Sequence, residues 1–327
     1  MRRQQTDRGT VLVPVRTRLF VRLGEVVVSL PSIVLSGWLL VELWARLGYW
    51  TTIVVVVWVL ASAVYLFFVC SAVIGAADQA NRAEPAERER LADAWALVAG
   101  DDAARYTLWI KDSDEVGGYA APLRHICVTC QALAVTSDGE LRALLAHEWA
   151  HHLLVPPLLR RWISCVRGLF EVPFGLCISF VAAIVLIVVR GCGMIGNRLS
   201  GYHPPPADHF RMGATAPTVA YLTVGWALVT VLTPALGSPV AVLVALIVLA
   251  QEPARAQLSQ QVEFRADRVA VDLGYGADMR AFLRASGAAW EHTHPVHPLP
   301  VRLFGTHPTV ARRVATIEAR ERKISRP

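Results

Sequence analysis

Three residues on one helical turn have the types and spacing to hold a metal ion and use it. In His147-Glu148-Trp149-Ala150-His151 the two histidines are four apart, so on an α-helix both imidazoles face one point, about 2 Å from a shared ion. Glu148 follows the first histidine directly and reaches a water beside that ion more easily than the ion itself. This is the H-E-x-x-H arrangement of a zinc hydrolase with a glutamate as general base. A chance cluster on a solvated helix is the plain alternative for so short a motif. The flanks favour the functional reading. Ser137-x-x-Glu140 is a capping box that starts a helix near Asp138, and Leu141, Leu144 and Leu145 give that helix a side to bury. Catalytic zinc takes three protein ligands and keeps one position open, so a further ligand has to come from elsewhere in the chain.

The composition places these residues beside a membrane. The chain has 327 residues, of which 54% are hydrophobic, and its mean hydropathy is positive; both point to membrane spans. Of its 32 basic residues only Lys111 and Lys323 are lysine, and no interleaved basic and aromatic pattern marks a nucleic-acid surface. Basic residues that flank apolar runs have a topological explanation instead. Six cysteines form no disulfide framework. Cys127 and Cys130 make a formal C-x-x-C pair, but they fall in an expected strand, Ile126 to Thr129, where residues three apart point to opposite faces.

The expected fold is a mainly α membrane protein with about four transmembrane helices and a cytosolic zincin-like α+β domain assembled from two sequence segments. Residues 1–25 form a basic cytosolic N-terminus with Arg2, Arg3, Arg8, Arg16, Arg18 and Arg22, and the positive-inside rule keeps this end in the cytosol. Residues 26–77 supply two spans, about Val26 to Trp44 and Leu47 to Ala77. Residues 78–163 form the first half of the soluble domain. It has an amphipathic helix from Glu84 to Val98, strands at Arg105 to Ile110 and His125 to Thr129, a loop at Asp112 to Gly118, and the motif helix, which ends before Pro156-Pro157.

Residues 164–251 hold two further membrane segments and an extracytoplasmic loop: a span from Val172 to Val189, a loop from Gly191 to Arg211, and a run from Met212 to Gln251 broken near Pro234 and Pro239. His203 and His209 fall in that loop and are read as loop residues, not ligands. For both halves of the soluble domain to meet, the chain must cross the membrane an even number of times between His151 and the second half, so the broken run counts as one net crossing. The break is a kink, or one half lies along the interface or re-enters.

Residues 252–327 form the second half, with a helix from Gln257 to Leu273 ended by Gly274-Tyr275-Gly276. In it Glu263 and Asp267 share a face, with Ala266 and Ala270 small enough for close approach to another helix. Glu263 completes a His, His, Glu set for one zinc per chain, and Asp267 can hold the free ring nitrogen of a ligating histidine.

The pairing of His147-Glu148-x-x-His151 with Glu263-x-x-x-Asp267 resembles the M48 metallopeptidases, especially the bacterial heat-shock HtpX-like membrane proteases. Ala121-Pro122-Leu-Arg-His-Ile-Cys-Val-Thr129 is similar to that family's strand before the motif helix. Thr306-His307-Pro308 followed by Arg313 is similar to its closing element. Where many members have Asn-Ala-Phe-Ala, this chain has Gly117-Gly-Tyr119-Ala120. The M56 sensor-type peptidases share a similar motif context and lack the closing element.

The resemblance implies a zinc metalloendopeptidase of the bacterial inner membrane. Its peptidase domain faces the cytosol and acts on protein substrates, membrane proteins among them, in quality control or stress response. It implies Glu148 as general base, His307 steadying the oxyanion, and Arg313 orienting that segment or touching substrate. His125, Ile126, Cys127, Val128 and Thr129 would bind an extended peptide by strand addition. The rivals are a sensor-transducer peptidase, for which the loop after Arg190 is too short to hold a ligand-binding domain, and a catalytically idle scaffold.

Overall fold

The computed structural model describes residues 13–80, 84–200, 222–293 and 305–325. Ten α-helices and three strands are described: α1 (Val15–Leu47), α2 (Trp50–Ala80), α3 (Pro85–Ala99), β1 (Thr107–Lys111), β2 (Gly118–Ala121), β3 (His125–Thr129), α4 (Cys130–Val135), α5 (Asp138–Leu154), α6 (Pro157–Ser200), α7 (Leu222–Leu236), α8 (Ser238–Asp272), α9 (Gly276–Thr293) and α10 (Val310–Ile324). The chain divides into two compact units. The first gathers Met1–Val27, Val56–Ile163 and Pro253–Pro327, and the second gathers Val28–Val55 and Ser164–Glu252.

The first unit is built around a three-stranded sheet in the order β1-β3-β2. β1 runs parallel to β3 and β2 antiparallel to it. Ile126, Val128, Leu141, Leu145, Leu154, Val262, Met279 and Ile317 are almost wholly removed from water in one continuous core. The core therefore draws on both sequence segments that the resemblance joined.

Local chemistry sets the start of α5 and the end of α8 where the sequence places them. Ser137 Oγ accepts from the Glu140 amide at 3.3 Å, and Glu140 Oε2 accepts from the Ser137 amide at 2.8 Å, so α5 opens on a full capping box. Arg90 on α3 binds the Asp138 carboxylate at 2.8 Å and the carbonyls of Leu133 and Thr136, which ties α3 to the start of α5. Trp95 on α3 meets Trp149 on α5 edge to face at 5.9 Å, a geometry favoured by the ring quadrupoles. α8 ends in a Schellman-type cap. Gly274 has φ +91°, and the Tyr275 amide donates back to the Ala270 carbonyl at 2.9 Å.

Several expectations are corrected here. The first helix begins at Val15, well before Val26: Arg16, Arg18 and Arg22 lie in it, and Val13 and Val21 are buried in the core of the first unit. A Cβ on Gly24 would stand 3.1 Å from Leu258 Cδ1 of α8, so that approach needs a small residue. The stretch Asp112 to Gly118 is not all loop, because Gly118 opens β2. The stretch Gly191–Ser200 continues α6 as helix, and 201–211, with His203 and His209, lies outside the described residues. The helix expected from Gln257 is the second half of a longer one. α8 runs through from Ser238, so one continuous helix carries both apolar residues and Glu263.

In the second unit the break in the run 212–251 is a turn, not a kink. Gly237 has φ +76°, a conformation open to glycine at little cost, and α7 and α8 fold back as a hairpin. A Cβ on Gly225 of α7 would stand 2.7 Å from Leu249 Cδ1 of α8. Apolar side chains on α6, α7 and α8 face outward, among them Phe180, Trp226 and Leu243.

A chain of polar contacts inside this unit links Ser32, Gln251, Glu171 and Arg167. Ser32 Oγ donates to Gln251 Oε1 at 2.8 Å, Gln251 Nε2 donates to Glu171 at 3.4 Å, and Arg167 pairs with Glu171 at 3.2 Å. Among the described residues three helices are long and apolar enough to cross a membrane: α1, Pro157–Val181 of α6, and α8. Trp50–Leu66 of α2 and all of α7 are shorter apolar helices.

Candidate metal centre

The site forms where α5 faces the second half of α8. Nothing in the sequence spacing between them forces the meeting, but the shared core does: Ala143, Ala146 and Ala150 of α5 and Ala266 and Ala270 of α8 are all fully or almost fully buried. Small side chains let two helix backbones come close enough for long polar side chains to converge.

They converge on one point. His147 Nε2 and His151 Nε2 are 3.1 Å apart. Glu263 Oε2 is 3.4 Å from His147 Nε2, and Glu263 Oε1 is 3.5 Å from His151 Nε2. Ligands about 2.05 Å from a tetrahedral zinc stand roughly 3.3 Å from one another, so these separations suit a zinc ion.

His147, Glu148 and His151 also offer atoms within 4.8 Å of one another. Glu263 is the closer carboxylate to both imidazoles, and Glu148 is drawn aside toward β2, where its carboxylate accepts from the Ala120 backbone N–H. Glu263 thus has the position of a third donor beside the two imidazoles, with Glu148 next to them.

Charge makes the same case. Glu148, Glu263 and Asp267 are all buried, and Arg313 is the permanent cation in contact with them, 2.6 Å from Asp267 and 3.5 Å from Glu263. Three carboxylates against one guanidinium leave a deficit of two positive charges in a dry place, which a divalent cation supplies.

Without it, protons fill the gap. Burial opposes a charged His147, yet its hydrogen bonds to Asp267 and then Glu263 prevail and raise its pKa to about 10; burial raises Glu148 to about 7. His151 moves the other way, to about 3, through burial and the neighbouring His147, and so stays neutral as a ligand must.

The surrounding shell orients the donors. Asp267, with no exposed surface, lies 3.0 Å from His147 Nδ1, which leaves Nε2 to face the ion site. Arg313 on α10 grips Asp267 with two nitrogens, Nε at 2.9 Å and Nη2 at 2.6 Å. Arg313 is largely enclosed, its side chain 12% exposed, and is engaged with both Asp267 and Glu263. His307 sits at the rim with a side chain 70% exposed, its Nδ1 3.4 Å from Glu263 Oε1.

Residues 208–321 match the model of peptidase family M48. The match spans Glu263, Asp267, His307 and Arg313 and begins after the H-E-x-x-H turn, which the geometry alone joins to it. It points to a metallopeptidase. None of the curated proteins matches this chain in sequence.

One expected role fails on topology. Strand addition to His125–Thr129 is impossible because β3 is the central strand, with β1 on one side and β2 on the other, and Ile126, Cys127, Val128 and Thr129 are buried. The edge strands among the described residues are β1 and β2, and β2 is the one beside Glu148. It carries no strong strand signal, being Gly118-Tyr119-Ala120-Ala121, and sequence reasoning missed it. Gly118 is its tightest point: an added Cβ would stand 2.9 Å from the Cys127 carbonyl and 3.4 Å from Glu148 Cγ. The cysteine pair is likewise split, with Cys127 buried in β3, Cys130 opening α4, and both thiols free.

Proposed function

We propose that this protein is a membrane-embedded zinc endopeptidase of the HtpX-like kind, with zinc held by His147, His151 and Glu263. The observation that carries the proposal is the triangle of donor atoms 3.1 to 3.5 Å apart, drawn from two segments of the chain. A zinc ion there would polarise the scissile carbonyl and make water easier to deprotonate.

The protein's own groups do the rest. Glu148 accepts the water proton and passes it to the leaving amine, a task suited to a carboxylate whose pKa burial has raised to about 7. His307, exposed at the rim, donates to the developing oxyanion. Arg313 acts through Asp267, holding it against His147. An extended substrate pairs with the free edge of β2, beside Glu148, so that backbone hydrogen bonds give sequence-tolerant binding.

The membrane reading is supported by the three long apolar helices. The arginine-rich N-terminus favours a cytosolic face for the peptidase unit in a bacterial inner membrane. Substrates presented there are membrane proteins, which fits a role in quality control.

Metal content and casein cleavage of detergent-purified protein test this. About one zinc per chain is expected in the wild type. Glu148→Gln should keep zinc and lose cleavage, and His147→Ala and Glu263→Ala should lose both. Zinc retained in Glu263→Ala, or cleavage retained in Glu148→Gln, would overturn the assignment.

A further inference from the structure

The turn between β2 and β3 holds a side chain where side chains are costly. Leu123 and Arg124 both have positive φ, +60° and +63°, in positions that hairpins ordinarily give to Asn-Gly. The turn is pinned rather than loose: His125 Nδ1 lies 2.7 Å from the Pro122 carbonyl, and the Thr107 amide donates to the Arg124 carbonyl at 3.1 Å. For this cost the protein presents a leucine 62% exposed next to an arginine. Strain retained at an exposed apolar tip calls for a functional reason.

Its place in the fold suggests one. His152, in the last turn of α5, stands 2.9 Å through Nε2 from the His125 carbonyl, so the tip lies at the C-terminal end of α5. Three residues after Leu154 the chain enters α6, one of the three helices long and apolar enough to cross a membrane. The opening turns of α6 carry exposed Leu158 and Trp162, the latter 60% exposed. Arg161 donates to Tyr65 Oη at 2.6 Å and lies over its ring. Tryptophan, tyrosine and arginine together mark a headgroup layer.

We propose that Leu123 and Arg124 dip into the lipid headgroup layer, leucine among the acyl chain ends and arginine on lipid phosphates, as a third point of attachment beside the membrane helices. This holds the free edge of β2, next to Glu148, against the bilayer surface, where a polypeptide leaving the membrane meets it first. The inference rests on reading α6 as a membrane span, not on the peptidase chemistry.

The test uses the full chain in vesicles of phosphatidylcholine and phosphatidylglycerol, with a fluorescent amino acid placed by codon suppression at position 123 or at position 135. Val135, 56% exposed, precedes the start of α5 and is separated from the other end by about 25 Å of helix. At 123 fluorescence should be quenched by brominated lipid and shielded from aqueous iodide; at 135 the reverse should hold. Iodide quenching at 123 equal to that at 135 would overturn the proposal. So would shielding from both quenchers, the result expected if a protein surface covers the tip. Failure of the protein to float with the vesicles would instead refute the membrane reading itself. Leu123→Gly should raise the melting temperature in detergent by relieving the turn; no rise would remove the argument from strain.

Discussion

Asp267 is enclosed between the ring of His147 and the guanidinium of Arg313, with no surface left to water. Its carboxylate fixes which nitrogen of His147 faces the ion site. Asp267→Asn keeps the shape but weakens both contacts and allows the ring to turn. Zinc affinity, measured by competition with a chelator, should fall by roughly 10- to 100-fold; an unchanged affinity would mean that Asp267 serves packing alone.

The same cluster sets a pH dependence. His147 and Glu148 have folded pKa values of about 10 and about 7, above the ordinary 6.5 and 4.5. A raised value means stability that is complete below the unfolded pKa and is lost as pH climbs through the folded one. Below about pH 6.5 the loss through Glu148 is opposed by His151, whose lowered value adds stability as pH rises, so the metal-free protein should become less stable chiefly from neutral to alkaline pH, through His147. Zinc takes the place of the His147 proton, so the rise in melting temperature on adding zinc should grow between about pH 6 and about pH 9. A rise that shrinks over that interval would contradict the charge balance drawn from the geometry.

At the scale of elements, β2 is short, weak in strand character and indispensable. It is an edge strand beside β3, and its Ala120 amide reaches the Glu148 carboxylate. Gly118→Ala puts a methyl carbon 2.9 Å from the Cys127 carbonyl, a backbone atom in a buried strand that cannot step aside. β2 must lift away from Glu148. Peptide cleavage should drop sharply while zinc content stays at the wild-type level; a fully active variant would show that the edge of β2 plays no part in binding substrate.

The helix that carries Glu263 is the other decisive element. The sequence patterns of a membrane run and of a soluble amphipathic helix meet near Gln251, and reading them separately hid the fact that α8 is continuous from Ser238 to Asp272. Pro253 within it did not break it. A proline removes one backbone bond and bends a helix, which neighbouring packing tolerates.

For the whole molecule, the apolar exterior of α1, α6 and α8 is compatible with a surrounding bilayer. The protein should stay in the membrane pellet through alkaline carbonate extraction and leave it only with detergent. Release by carbonate would mean that these helices lie on a surface instead of crossing it.

Some features of this protein are determined by sequence alone because they depend on neighbours along the chain. The i, i+4 histidines share a face by helical geometry, the Ser137 and Glu140 box starts α5, Gly274 ends α8, and long uncharged runs need a non-aqueous home. The start of α1 was harder to see, since arginines at Arg16, Arg18 and Arg22 read as a tail until Val13 and Val21 were found in the core. Other features depend on contacts between residues far apart, and tertiary structure alone decided them. It brought Glu263 within 3.5 Å of both histidines, set Arg313 against Asp267, and made β3 the interior strand with β1 and β2 as edges. Strand order and helix approach are set by which surfaces bury each other, and local propensity carries no record of that.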